Sequence, residues 1–436
     1  MATTAMEKMM MKCGGRSEDK DDDGVDTKAV EALLGAARPF LRGELEAVEP
    51  ELPCLVSVLR AAGAGECYHK HGTFLAHLLD VYRILRLWGA PDAVSRCGLF
   101  HSAYSNSYVN LAIFHPDTGR HRVRAIIGAP AERLVHLFCT VPRHQLIHDH
   151  LLFHYTDQEL RDHLAASASA AGEDGEWRRK LRSLVPLEGV VTRHIRTGEP
   201  VALSRRVVAA FLLMTVADFS DQYTGYQDQL FGNEDDGRLE FRGDNWAALW
   251  PGDGKPGLWV SAMSRMAALY NLMARDDRII HSQGRNDEED DGLVVHVPPV
   301  FEGCTRVLDP ADQKAARDLY WEAICGGGGA NKEALLRESV SRNPFVGEPW
   351  LVLAQVLLNK QQQDSSWREA EAAAARGLRL LLEWGSSWDK RMSWEGWVSW
   401  GRLMRDKARR REWPRTAWGI INLGLVQGVA NLSSSD

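Results

Sequence analysis

The sequence predicts a mostly α-helical protein in two helical regions, and three observations carry that expectation. Apolar residues recur at steps of three and four along most of the chain, the repeat that buries one stripe of a helix. Convincing strand alternation is confined to one stretch, Tyr108 to Ile127. From about Val297 onward alanine, leucine and tryptophan dominate, and Pro or Gly arrives at the ends of helix-length segments. With 436 residues, 44% of them hydrophobic and 25% charged, the chain is long enough for two or three cores.

Residues 1–27 carry methionines and then Glu18, Asp19, Lys20, Asp21, Asp22 and Asp23, with no apolar period. They read as a disordered acidic leader, unlike a basic transit peptide or an apolar signal core. From Thr27 to Ala64, the spacing of Val30, Leu33, Leu34, Phe40, Leu41, Leu45, Leu55, Val58 and Leu59 predicts two short helices parted by Pro50 and Pro53. These are expected to pack on the two helices that follow.

In the first of those two, Phe74, Leu78, Val81, Leu85 and Trp88 form the core stripe, and His77 flanks it beside Val81, Ile84 and Trp88. Gly89, Ala90 and Pro91 break the pattern, Asp92 can cap the next helix, and Val94, Cys97 and His101 share one of its faces. Two imidazoles therefore enter a helical bundle. His71, six residues before His77, lies about 240° round the helix and off that face. Lys70 and His71 sit at a helix start, where free backbone N–H groups can bind an anion or simply face water.

A helix carrying a His, followed by an apolar run ending Leu99-Phe100-His101, resembles the HD-type phosphohydrolases, most closely the hydrolase domain that degrades guanosine tetraphosphate. The resemblance implies an HD-like bundle near residues 28–280. It makes His77 the first metal ligand, His101 the second and Asp218, within Val216-Ala217-Asp218-Phe219, the last. Ile127, Gly128, Glu132, Leu134 and Val135 echo a helix start that the family has between them. It also implies a divalent ion such as manganese or iron, and a nucleotide or other phosphoester as substrate. The run from His71 to Asn106 resembles an uncharacterised domain group of plants and bacteria as well.

This chain departs from the phosphohydrolase pattern at Ser102, where the family has the Asp of its His-Asp pair. Ser105 and Asn106 stand where the nucleotide hydrolases carry Glu-Asp. One carboxylate then remains to meet an ion, and none is in the usual place to orient water. Lys70, His71, Ser102, Ser105 and Asn106 are left as the candidate substrate contacts. Two readings stay open: an ion held by His77, His101 and Asp218, or core histidines hydrogen-bonded to each other or to Asp218.

Beyond His101, the alternation of Tyr108 to Phe114, the turn residues Pro116, Asp117, Thr118 and Gly119, and Val123 to Ile127 predict a small β-hairpin. Ala131 to Val141 returns to helix. A histidine-rich stretch follows, in which His144 with His148 and His150 with His154 have the spacing of one helix face. With its literal His148-Asp149 pair it reads either as the true metal site or as an exposed helix that charges below about pH 6.5. Leu203 to Asp221 is the strongest helix of the middle region. Val208, Phe211, Leu212, Thr215, Asp218 and Phe219 share a face there, so Asp218 points at the core, and Asp221 is left as a substitute ligand or a surface residue. The Gly, Asp and Lys of residues 250–257 do not open a helix with GK[ST], which excludes a phosphate loop of that type.

Residues 281–295 read as an acidic linker and 296–436 as a second helical domain. Trp350, Leu353, Ala354 and Leu357, and again Trp397, Trp400, Gly401 and Met404, resemble the first helix of a tetratricopeptide repeat. Their partners would be Trp367–Trp384 and Arg415–Val426, and the alternative is a plain Trp-rich bundle. A protein partner is expected at these helices, an acidic one at Lys407, Arg409, Arg410 and Arg411.

The formal charge of −7 argues against a general nucleic-acid binder, and no apolar run is long enough to span a bilayer. Cys13, Cys54, Cys67, Cys97, Cys139, Cys304 and Cys325 show no paired spacing. They read as reduced thiols in a cytoplasmic setting, with the nucleus left open. Function divides accordingly into a metal-dependent phosphohydrolase-type domain with an incomplete ligand set, or an inactive HD-like regulatory module with a protein-binding arm.

Overall fold

The computed structural model describes residues 27–69, 72–105, 112–116, 118–168, 175–222, 259–282, 293, 295–306, 308–325, 331–360 and 364–414. The acidic leader up to residue 26, Lys70, His71, Asn106, most of the acidic linker and Arg415–Val426 lie outside them. The described residues are mostly helical, with two short antiparallel hairpins.

Three helices open the chain: α1 (Thr27–Arg42), α2 (Leu45–Val48) and α3 (Leu52–Ala61). Pro53 sits in the first turn of α3, where its missing N–H has no intrahelical partner to lose. Strands β1 (Tyr68–His69) and β2 (Gly72–Thr73) then lead into α4 (Phe74–Leu87), whose first turn is capped by the Thr73 hydroxyl accepting from the Ala76 N–H. Helix α5 (Asp92–Leu99) packs antiparallel on α4, so closely that a methyl group on Gly98 would stand 2.4 Å from Leu85 Cδ1.

The hairpin expected over 108–127 is not what forms. Residues 120–127 are helix α6 (Arg120–Ile127), followed by α7 (Ala129–Thr140). Val123 and Ile127 are four apart and both buried, while Arg120 and Arg124 reach forward to the buried Glu132 carboxylate on α7. Helical spacing thus satisfies both the apolar and the charged residues of this stretch. Tyr108 to Leu111 lie outside the described residues, and Ala112 makes an isolated bridge to Tyr104.

The histidine-rich stretch is not an exposed helix either. Gln145–Asp149 is a single π-helical turn and Leu152–His154 a 3-10 turn. His148 is fully buried, stacked toward Phe219. Next come α8 (Asp157–Ser167) and α9 (Glu176–Leu184), and then a second hairpin of β3 (Val190–Arg193) and β4 (Pro200–Leu203). Gly189, with φ +92, opens this hairpin where a side chain would strike the Leu203 carbonyl.

At the centre lies α10 (Arg205–Gln222), buried on every side from Arg205 to Asp221, with α11 (Trp259–Ser282) beside it. Short α12 (Pro299–Cys304) leads to α13 (Pro310–Cys325), α14 (Lys332–Arg342), α15 (Gly347–Lys360), α16 (Asp364–Trp384) and α17 (Trp394–Arg410). Helices α15 and α16 approach until Gly347 and Gly377 meet backbone to backbone, which no larger residue would allow.

Two apolar clusters result. The larger surrounds α4, α5, α7, α10 and α11 and takes in Trp384 from the end of α16 and Trp388 from the connection after it. The smaller joins α13–α17 to Val30, Leu34 and Ala37 of α1. Helix α3 packs near the histidine helices as expected, but α1 lies mainly on the carboxy-terminal bundle. Among the described residues no helix is long and apolar enough to cross a membrane.

Candidate metal centre

Helices α4, α5 and α10 meet at one point, and each delivers a polar side chain there. His77 closes the first turn of α4, His101 follows the end of α5, and Asp218 comes from near the carboxy-terminal end of α10. All three are buried, at 2%, 3% and 7% exposed. His77 Nε2 lies 3.2 Å from Asp218 Oδ1 and 3.4 Å from His101 Nε2, and His101 Nε2 lies 3.7 Å from Asp218 Oδ1.

Two of those separations suit an ion directly, and the third is slightly wider. Ligand atoms about 2.1 Å from a divalent metal, at angles between octahedral and tetrahedral, stand about 3.0–3.5 Å apart. Among the described residues, His77, His101 and Asp218 form the group whose ligand atoms lie close enough together to hold a metal.

The remaining ring nitrogens fit the same use. His77 Nδ1 is 2.7 Å from Asp221 Oδ2, and His101 Nδ1 is 2.7 Å from the Gly98 carbonyl. When each Nδ1–H donates outward, each Nε2 lone pair points inward, the arrangement that metal-binding imidazoles usually take. Gly98 therefore does two things at once: it lets α4 and α5 touch, and its carbonyl orients His101.

Without an ion, protons take the place of charge. Burial opposes a charged His77, but hydrogen bonds and attraction from Asp218 and Asp221 outweigh it and lift its pKa to about 9. Burial pushes His101 down to about 4, so it stays neutral. Burial also works against an ionised Asp218, yet the hydrogen bond from His77 and the nearby His101 and Arg143 hold it well below the usual carboxylate range. The metal-free centre is thus a His77 imidazolium between two carboxylates, with His101 as a neutral neighbour.

Several contributors were faint or absent in the sequence. Asp221 is fully buried, neither a surface residue nor one of the three converging ligands, and it bonds His77 on one oxygen and Lys390 Nζ at 3.3 Å on the other. Its signal is weak but present, since it stands one turn beyond Asp218. Lys390 comes from the 385–393 connection between α16 and α17 and carries no local signal at all. His69, on β1, lies with its ring centroid 4.4 Å from that of His77. Arg143, 1% exposed, stacks over Phe138 and biases both Asp218 and His101.

Of the residues named as substrate contacts, Ser102 is buried at 2% beside His101. Ser105 adopts a left-handed backbone, φ 66, in the turn after it. Lys70, His71 and Asn106 lie outside the described residues. The histidine-rich stretch does not gather into a second metal-like group among the described residues: His144 and His148 pair at 4.9 Å between ring centroids, while His150 Nε2–H donates to the Leu184 carbonyl at the end of α9.

A family model with the description "Domain of unknown function (DUF6817)" matches residues 58–143, a span that contains His77, His101 and Ser102 but stops before Asp218. Neither a curated protein nor a solved structure matches the chain.

Proposed function

We propose that the domain built on α4, α5 and α10 is a divalent-metal centre of the HD-like phosphohydrolase type, held by His77, His101 and Asp218 and directed at a nucleotide or other phosphoester. One observation carries the reading: both imidazoles commit Nδ1 to an oxygen acceptor and turn Nε2 toward Asp218 Oδ1. Two neutral nitrogens and one carboxylate suit a manganese-like or iron-like ion, weakly bound for want of a second anionic ligand. When bound, the ion would polarise a phosphoryl oxygen and acidify a water. The chain's own residues orient it, with Asp221 fixing His77, Gly98 fixing His101 and Ser102 adjoining the ligand set.

The rival reading is a regulatory module with no turnover, its carboxy-terminal helices docking a partner. Ser102 favours it, because a hydroxyl supplies neither the charge nor the basicity of the missing Asp. The test is elemental analysis and metal titration on the wild type, Ser102→Asp and Asp218→Asn, each checked for fold. Wild type should take up manganese or iron, S102D should bind more tightly and hydrolyse a generic phosphodiester slowly, and D218N should lose the ion. If all three stay folded and none takes up metal at millimolar concentration, the histidines are structural and the module reading replaces the enzyme.

A further inference from the structure

A second polar site lies away from the histidines, between α13, α14, α15 and the connection after α16. There a small cavity open to solvent is lined by Tyr320, Trp321, Trp388, Arg317, Glu348 and Asp389, among others. Three of these are aromatic and nearly buried, with Tyr320 at 5%, Trp321 at 4% and Trp388 at 6% exposed. Three are charged, and the state of each charge decides what the cavity can take.

Arg317 is engaged by Asp318 through two guanidinium nitrogens. Asp389 is engaged by Arg391 and accepts from the Tyr320 hydroxyl at 2.6 Å. Glu348 differs. It is 2% exposed, and its Oε1 accepts the main-chain N–H groups of Trp388 and Asp389. Its own backbone N–H adds a further hydrogen bond, and its carboxylate makes no ion pair with a Lys, Arg or His among the described residues. A carboxylate this deep ordinarily has a cation beside it. Burial, opposed only in part by the backbone N–H groups, raises its pKa to about 7, as expected when that cation is missing.

We propose that this cavity binds a small organic ammonium ion, with the Glu348 carboxylate facing the charge and Trp321, Trp388 and Tyr320 forming its walls. Aromatic faces attract a desolvated cation, and a nearby carboxylate supplies the full charge. A metal ion is disfavoured, because one unpaired carboxylate beside indole and phenol rings is far from the six to eight oxygens that calcium takes or the octahedron that magnesium demands. An anion would meet Glu348 and Asp389 against one guanidinium that is already paired.

The test is isothermal titration calorimetry of the full chain with choline and with butylammonium, each compared with an uncharged carbon isostere at matched ionic strength. Wild type should bind at least one cation saturably in the millimolar range or tighter, and its isostere at least about tenfold more weakly. Glu348→Gln, with circular dichroism like that of the wild type, should lose about tenfold or more, and Trp321→Leu should weaken the cation more than the isostere. Absence of saturable binding by the wild type overturns the assignment, as does equal affinity for cation and isostere, or a folded E348Q that binds as the wild type does. The comparison of cation with isostere decides even where E348Q fails to fold.

Discussion

Both ring nitrogens of His77 face carboxylate oxygens, and that fixes its charge before any ion arrives. A folded pKa near 9, raised from 6.5, means that the native state holds a proton the unfolded chain gives up earlier. The stability it brings is complete below pH 6.5 and is lost as pH rises through 9. Metal-free protein is therefore expected to lose a few kcal/mol between about pH 6 and about pH 9.5 by chemical denaturation with chelator present. In Asp221→Asn that loss should shrink, because the shorter of the two His77 contacts becomes neutral. An equal loss in wild type and variant would show that Asp221 does not govern the proton. A metal requires the same Nε2 unprotonated, so its uptake should release a proton near neutral pH and tighten as pH rises. Flat affinity between about pH 6 and about pH 8 would mean that His77 is not a ligand.

Among the elements, the crossing of α4 and α5 carries the most of the candidate site. Gly98→Ala would push a methyl group into Leu85 and against Val81, at 2.4 and 3.3 Å before relaxation, and shift the carbonyl that orients His101. Overpacking of this kind costs about 1–3 kcal/mol. Thermal unfolding should show that loss, with weaker metal uptake alongside it. A G98A protein as stable as the wild type would mean that the two helices slide apart freely. These two helices were legible because their apolar residues keep a helical period through Trp88 and again through Cys97, which aims His77 and His101 inward without knowledge of the fold. Asp218 was legible for the same reason, as a charge on an apolar face. Residues 120–127 were not, because Val-Arg-Ala-Ile-Ile offers a short apolar run that two periods fit equally well. What selects the helix is a distant carboxylate, Glu132, which the two arginines reach only when they are one turn apart. His148 was misjudged for a related reason: its polar neighbours suggested water, but a π-helical turn swings it under Phe219.

Across the whole molecule, the carboxy-terminal helices complete the centre. Arg83 on α4 donates to the Gly385 carbonyl and pairs with Glu395, Trp88 donates to the Glu383 carbonyl, and Ser386 donates to the Ser220 carbonyl. These contacts press the 385–393 connection onto α4 and α10 and set Lys390 beside Asp221, 169 positions away in sequence. No local pattern could reveal such a pair, since each residue alone reads as an ordinary charge in a loop or at a helix end. The acidic residue is fully buried and Lys390 is 9% exposed, so the interaction is screened little by solvent. Lys390→Met should then cost about 1.5–3 kcal/mol, because it removes a charged hydrogen-bond donor from a buried carboxylate that His77 still contacts. Lys390→Met combined with Asp221→Asn should cost clearly less than the two changes added, with a coupling of about 1 kcal/mol or more in a double-mutant cycle. Strict additivity would mean that the ammonium and the carboxylate do not feel each other in solution, and that the carboxy-terminal helices pack on the histidine bundle without tuning it.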